Sequence, residues 1–314
     1  PEGEVKQISI VRDVVVLDER FARSLVIPGD EAGQDIGYIW LPSFYADFQD
    51  ENGRFSSIDV AKELEKLTEA GVDGIILDLR NNGGGSLSDV VDMSGFFIPE
   101  GPIVQVEGRG GRIQTQADSD NSVLYDGPLV VMVNQSSASA SEILAAAMQD
   151  YQRAVIVGSE QTFGKGTVQR FMDLDRTLPG HGEVKPLGSM KLTTQKFFRI
   201  NGGSTQLRGV SSDIVLPNAY TYLESGEQKQ ANPLEWTEID AADFEQNVLR
   251  ISARTMNELR QRSQQRVTQN GTFAQIDENA QRIKRLRDRD VFSLNYDTYL
   301  EEDQTRRQEA EQYE

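Results

Sequence analysis

The 314-residue chain has no cysteine, one histidine and no long apolar run, and each absence closes off a class of function. Without cysteine there is no disulfide, thiol nucleophile or thiolate metal site, a composition compatible with an oxidising compartment. With His181 as the sole imidazole, in Gly180-His181-Gly182, a histidine-based metal site lacks its second ligand, so neither metal nor cofactor is expected. No stretch approaches the roughly 20 apolar residues that span a bilayer, and no membrane insertion is expected. The opening Pro-Glu-Gly-Glu has neither a basic start nor an apolar core; it reads as a cut or processed chain from which a signal peptide is absent. Basic residues are outnumbered 32 to 50, and a net charge of −18 argues against nucleic acid or an anionic membrane surface as partner.

What is present centres on residues 129–150. Leu129 to Val133 is an apolar run with three β-branched residues, read as a strand buried on both faces, and the Ala-rich stretch after Glu142 reads as a helix. Strand, small-residue turn and helix set Ser136, Ser137, Ser139 and Ser141 around a helix N-terminus, where free N–H groups can stabilise a developing oxyanion. Ser139-x-x-Glu142 is equally a capping box, so this stretch alone allows a cap or a nucleophile.

Around this centre the chain alternates strand and helix. Residues 5–17 have strand composition, and 37–44 give a second strand ended at Pro42. A helix with apolar Ile58, Ala61, Leu64 and Leu67 is expected, capped by Ser57 and stopped by Gly71, followed by a strand through Ile75–Leu79. That strand runs into Arg80-Asn-Asn-Gly83-Gly84-Gly85 and a helix from Ser86 or Ser88 to Phe97; the glycines allow an N–H to be aimed outward, although a plain turn explains them too. The final glycine of a dinucleotide fingerprint is missing. Strand 103–107 precedes a polar loop, 108–126, whose Asp118-Ser-Asp120-Asn-Ser122 starts like a calcium loop but has Val123 in place of the turn glycine and no closing glutamate.

Strand 154–158 leads to the loop 159–169, where Gly164-Lys165-Gly166 departs from a phosphate-binding loop in spacing and in lacking the Ser or Thr that binds magnesium. A glycine-flanked lysine between apolar stretches can be drawn into a desolvated pocket, where its neutral amine becomes available as a base. Residues 187–200 read as a strand and 214–217 as the last piece of the core. From about 240 the chain is charged and Gln/Arg-rich, patterned as two helices broken near Asn270-Gly271 and ending in a solvated acidic tail, 301–314.

A serine nucleophile needs a base, and the sequence offers His181 or Lys165, with Gln169 able to hold the amine. The segments Ser137-Ala-Ser139-Ala-Ser141-Glu142-Ile, Ala145-Ala-Ala-Met-Gln-Asp-Tyr151, Thr162-Phe-Gly-Lys165-Gly-Thr-Val-Gln169 and Leu79-Arg-Asn-Asn-Gly-Gly-Gly85 resemble those of the carboxy-terminal processing, or tail-specific, proteases of peptidase family S41. The resemblance continues through residues 195–206 and 209–214 and recurs at Ser293-Leu-Asn-Tyr296. It implies a nucleophile at Ser139, a general base at Lys165, a third member at Gln169, and oxyanion donors at the N–H groups of Ala140 and Gly85. The loop before Thr162 is one residue longer than is usual in the family, which a bulge could absorb.

The implied fold is α/β, a crotonase/Clp-protease-like mixed-sheet core with helices, plus a C-terminal helical region. Residues 1–228 would form the protease core, with 1–36 following a PDZ domain that is not in the sequence, and 229–314 the helical region. The implied function is a serine endopeptidase of the bacterial periplasm, cleaving unfolded or C-terminally tagged proteins with apolar C-termini, with a homo-oligomer or an adaptor as further partner. Two alternatives stand beside it: a crotonase-like acyl-CoA enzyme, and a non-catalytic peptide-binding scaffold.

Overall fold

A computed structural model describes residues 18–30, 34–48, 53–178, 180, 182–245 and 251–313. The strand expected over 5–17, and His181, lie outside the described residues. The first half runs β1 (Arg23–Ile27), β2 (Ile36–Trp40), α1 (Ser56–Glu69), β3 (Gly74–Asp78), α2 (Leu87–Gly95), β4 (Gly101–Glu107), β5 (Ile113–Asp118), β6 (Leu129–Val133) and α3 (Ala140–Asp150). The second continues with β7 (Val155–Gly158), β8 (Thr167–Asp173), a one-turn α4 (Leu174–Thr177), β9 (Ser189–Phe198), β10 (Ile214–Val215), α5 (Ala253–Gln269), α6 (Gly271–Arg287) and α7 (Tyr296–Glu311). It is the mixed α/β core and helical C-terminal region that the sequence leads one to expect.

Six strands form one sheet in the order β1-β2-β3-β6-β7-β10, parallel from β2 to β10, with β1 antiparallel on its edge. The β2–α1–β3 crossover is the unit expected from the spacing. Parallel strands covered on both faces read as unbroken apolar runs, and β3, β6 and β7 are buried at most positions. The second sheet, β5-β4-β9-β8, is antiparallel, and its outer strands β5 and β8 are largely exposed. Strand β5 lies within the expected polar loop 108–126 and β8 begins within the expected loop 159–169, because an exposed edge strand needs no apolar alternation.

Helix α3 is buried from Ala140 to Met148, and its alanines let it pack against α2, β4 and β7. Helix α1 starts one residue before the expected cap. Its buried stripe is Val60, Leu64 and Leu67, with Ile58 turned to solvent. Ser57 does not cap: its hydroxyl and N–H, with the Ser56 hydroxyl, donate to Asp89 Oδ1 at 3.0–3.1 Å, so α2 supplies the carboxylate at the α1 N-terminus.

Among the described residues the C-terminal region has three helices rather than two, since α7 occupies most of the expected tail. Helix α5 is moored to the core through Asp213, just before β10: Arg260 Nε donates to the Asp213 carbonyl at 2.8 Å. The Asp213 carboxylate takes the Ile156 N–H at 2.9 Å and Gln149 Nε2, near the end of α3, at 3.2 Å. Gly158 closes β7 so tightly that a Cβ there would overlap the carbonyl oxygen of Val133. Gly158→Ala is therefore expected to lower unfolding stability by about 3 kcal/mol or more in a urea titration, and Gly271→Ala, where a Cβ meets open space on ordinary backbone, by much less.

Candidate active site

The turn after β6 is built from hydrogen bonds made by its own small polar side chains. Ser137 Oγ donates to the Leu79 carbonyl at 2.8 Å and accepts the Asn134 N–H at 2.9 Å. Ser141 Oγ donates to the Asn82 carbonyl at 2.8 Å, which also accepts the Ala138 N–H. Asn82, itself buried, reaches the Leu41 carbonyl through Nδ2 and accepts the Gly84 N–H on Oδ1, both at 2.9 Å. Ser137 and Ser141 thus bolt the serine turn to the glycine turn.

Between them Ser139 is half-buried and sits at φ 58°, ψ −113°, a conformation that L-residues rarely adopt. A sharp strand-to-helix turn of this kind is how a nucleophilic serine can be presented at the top of a sheet. The glycine turn lies directly against it. A Cβ on Gly84 would fall 2.7 Å from Ser139 Cβ and 2.9 Å from the Ala140 nitrogen, at φ +98°, so only glycine fits. Gly84 has its N–H occupied by Asn82, whereas those of Ala140 and Gly85, like that of Gly83, donate no hydrogen bond among the described residues.

Glu142 is fully buried and joins this turn to the lysine segment. Its Oε2 accepts the N–H of Ser139 at 2.8 Å and of Lys165 at 2.9 Å; its Oε1 accepts Thr162 Oγ1 at 2.6 Å and the Gly164 N–H at 2.7 Å. One carboxylate therefore fixes the backbone of both residues singled out from the sequence. Thr162 Oγ1 in turn accepts the Val210 N–H, and Ser212 N–H meets the Glu160 carbonyl, so the long loop is zipped to residues 210–212 ahead of Lys165. Burial pushes the Glu142 carboxyl up to about 7, with its four hydrogen bonds pulling the other way.

Lys165 and Gln169 share one cavity of about 480 Å³ with Ala138, Lys191, Thr193 and Glu227. Burial holds the Lys165 ammonium below the usual lysine range, the Lys191 charge lowers it further, and Glu227 and Glu142 oppose both. No hydrogen bond joins the side chains of Ser139, Lys165 and Gln169 among the described residues; Lys165 and Gln169 line this cavity, and Ser139 adjoins it through Ala138 without lining it. Larger cavities, about 680 Å³ beside β10 and α5 and about 840 Å³ beside β4 and β5, contain none of these groups.

Comparison with known proteins fixes the class. The family described as "Peptidase family S41" matches residues 35–216, and the chain belongs to that family. More particularly, residues 220–314 match the family described as the C-terminal domain of tail specific protease. The chain is 40% identical over 301 residues to the tail-specific protease of Haemophilus influenzae, covering 94% of this chain and 41% of that one. It is 38% identical over 196 residues to a carboxyl-terminal-processing protease of Synechocystis, covering 59% and 43%. It thus spans about two fifths of the length of these relatives. A solved photosystem II D1 C-terminal processing protease is similar at 28% identity and a TM-score of 0.50, over 62% of this chain and 48% of that one.

Spacing alone misses what Glu142 does: the capping box accounts for one of its four bonds, and the other three reach a segment 20 or more residues away. Being raised, its carboxyl holds a proton between its ordinary 4.5 and about 7 that the unfolded chain has released, so its contribution to stability falls as pH rises through that window. In Glu142→Gln the amide accepts on one oxygen only. The variant is expected to lose about 1–3 kcal/mol, by a margin below the parent that narrows from pH 5 to pH 8 in paired urea titrations.

Proposed function

We propose that this chain hydrolyses peptide bonds by a serine–lysine mechanism, with Ser139 as nucleophile, Lys165 as general base and Gln169 as the residue that orients the lysine. The observation that carries the reading is the strained Ser139 elbow tied, through the single Glu142 carboxylate, to the backbone of a half-buried lysine.

In this reading neutral Lys165 takes the Ser139 hydroxyl proton as Oγ attacks the scissile carbonyl carbon. The resulting oxyanion is received by the N–H groups of Ala140 and Gly85, which have no other acceptor among the described residues. The Lys165 ammonium then gives its proton to the departing amine, and a water activated by the same lysine releases the acyl group from Ser139. Gln169, on β8 and facing the cavity, accepts from the ammonium through its side-chain carbonyl. The gap between the three side chains is of the kind that closes when substrate binds.

The substrates we assign are unfolded or C-terminally tagged proteins of the bacterial envelope with apolar C-termini. The names of the Haemophilus and Synechocystis relatives, a tail-specific and a carboxyl-terminal-processing protease, support action at a C-terminus, and the periplasm is the compartment we assign with it. No helix among the described residues is long and apolar enough to cross a membrane. The protease core is assigned to residues 1–228 and the helical region to 229–314, with self-association or an adaptor as the route to further partners.

Ser139→Ala and Lys165→Ala are each expected to reduce cleavage of an unfolded protein substrate by a factor of about 1,000 or more, with unchanged circular dichroism; an active Ser139→Ala chain would refute the assignment. The pH profile tests the base. Activity should rise with pH as Lys165 loses its proton. Removing the Lys191 charge in Lys191→Met raises the lysine's proton affinity and moves this limb to higher pH, whereas Glu227→Gln removes an opposing anion and moves it to lower pH. His181→Gln should leave the limb in place.

A further inference from the structure

Strands β8 and β9 extend beyond the sheet they belong to. Only Lys196 to Phe198 of β9 pair with β4, so from Gln169 and Gln195 outward the two strands form an arm that no third strand joins among the described residues. A register shift between Val168 and Gln169 leaves Thr194 unpaired and re-aims the arm where it leaves the sheet.

Past that shift the cross-strand pairs alternate between two faces. Gln169 with Thr193, Phe171 with Lys191 and Asp173 with Ser189 occupy one; Arg170 with Leu192 and Met172 with Met190 occupy the other. The first face closes the Lys165 cavity, because Thr167, Gln169, Lys191 and Thr193 all line it. Phe171 stands on this same face one pair further out, 76% exposed, with Lys191 Nζ 5.8 Å from its ring centroid. Its neighbours along the face are Gln169 and Asp173, so the ring is an apolar station on an otherwise polar surface that leads into the cavity. Strand β8 is also the outer strand of its sheet, and its free edge can accept the backbone of an extended chain.

We propose that Phe171 is a specificity-determining residue, forming with the Lys191 stem an apolar subsite for one aliphatic or aromatic side chain of a polypeptide lying extended along β8 toward Ser139. The proposal rests on the reading of the Lys165 cavity as the place of cleavage. The occupant is an extended polypeptide because the two features coincide: a free strand edge, and side-chain positions repeating every second residue from the cavity outward. At about 3.3 Å per residue, Phe171 lies about 7 Å beyond Gln169, so the side chain it reads is not the one at the cleaved bond.

The test measures binding on the full chain carrying Ser139→Ala, so that no peptide is cut. Fluorescently labelled Ser/Gln-rich peptides, each with one leucine walked along the sequence, are titrated by anisotropy. At one position leucine should be favoured over serine about tenfold; adding Phe171→Ala should bring that ratio close to one, while Phe171→Leu should keep most of it. The exposure of Phe171 makes both variants compatible with folding, which circular dichroism checks. The proposal is overturned if Phe171→Ala leaves the ratio unchanged at every position. It is also overturned if the preference is for aspartate and disappears in Lys191→Met, since a carboxylate is then being read. A change from dimer to monomer in sedimentation with an unchanged ratio would overturn it as well, marking the arm as a contact between copies. Cleavage by the chain with Ser139 intact is scored separately: hydrolysis without the Phe171 preference defeats the subsite alone, and the preference without hydrolysis defeats the catalytic reading alone.

Discussion

A single buried carboxylate holds the candidate site together. Glu142 accepts four hydrogen bonds from four residues, one from the serine turn at Ser139 and three from the lysine segment at Thr162, Gly164 and Lys165. An ionised carboxylate taken out of water is costly, and only a full set of donors makes the position tolerable. Hydrogen bonds contribute about 0.5–1.5 kcal/mol each net, so four of them together are enough to offset the roughly 1–3 kcal/mol of strain in a non-glycine residue with positive φ. The unusual backbone of Ser139 is thus maintained by the group that also sets the height of the lysine segment, and neither can shift without the other.

The remaining small side chains follow from the same requirement. Ser137 and Ser141 are buried and donate to the Leu79 and Asn82 carbonyls of the facing segment, while the buried Asn82 side chain braces that segment on the Leu41 carbonyl and the Gly84 N–H, so the two turns register through directional bonds rather than through apolar packing. Apolar contacts would have tolerated sliding. Here a displacement of either turn breaks several bonds at once, and the closeness of Gly84 to Ser139 leaves no room for a side chain to wedge them apart.

How much of this is legible in the residues depends on burial. Strands β3, β6 and β7 lie between layers of helix and show as apolar runs, and α3 shows as alanine flanked by serine; a resemblance carried by short motifs was enough to single out Ser139, Lys165 and Gln169. Strands β5 and β8 are edge strands with solvent on one or both faces, and nothing in an exposed β-ladder demands apolar residues. Ser57 had the composition of a helix cap, but Asp89, 32 residues later, took its place. The exposed α7 carries no strong apolar stripe, so its charges read as a tail. The double duty of Glu142 was hidden for a different reason: its partners are mainly backbone N–H groups, which every residue possesses and no letter of the sequence marks.

The mooring of the C-terminal helices at Asp213 acquires a mechanical meaning once α3 is considered as a whole. The helix is 11 residues, roughly 16 Å at 1.5 Å per residue, with Ser139 at one end and Gln149 near the other. Gln149 donates to the carboxylate of the residue whose carbonyl receives Arg260 of α5. A helix buried from Ala140 to Met148 therefore connects the strained elbow to a point where α5 is held to the sheet. The seat of the helical region on the sheet and the position of the strained serine are thus set at the two ends of one continuous helix.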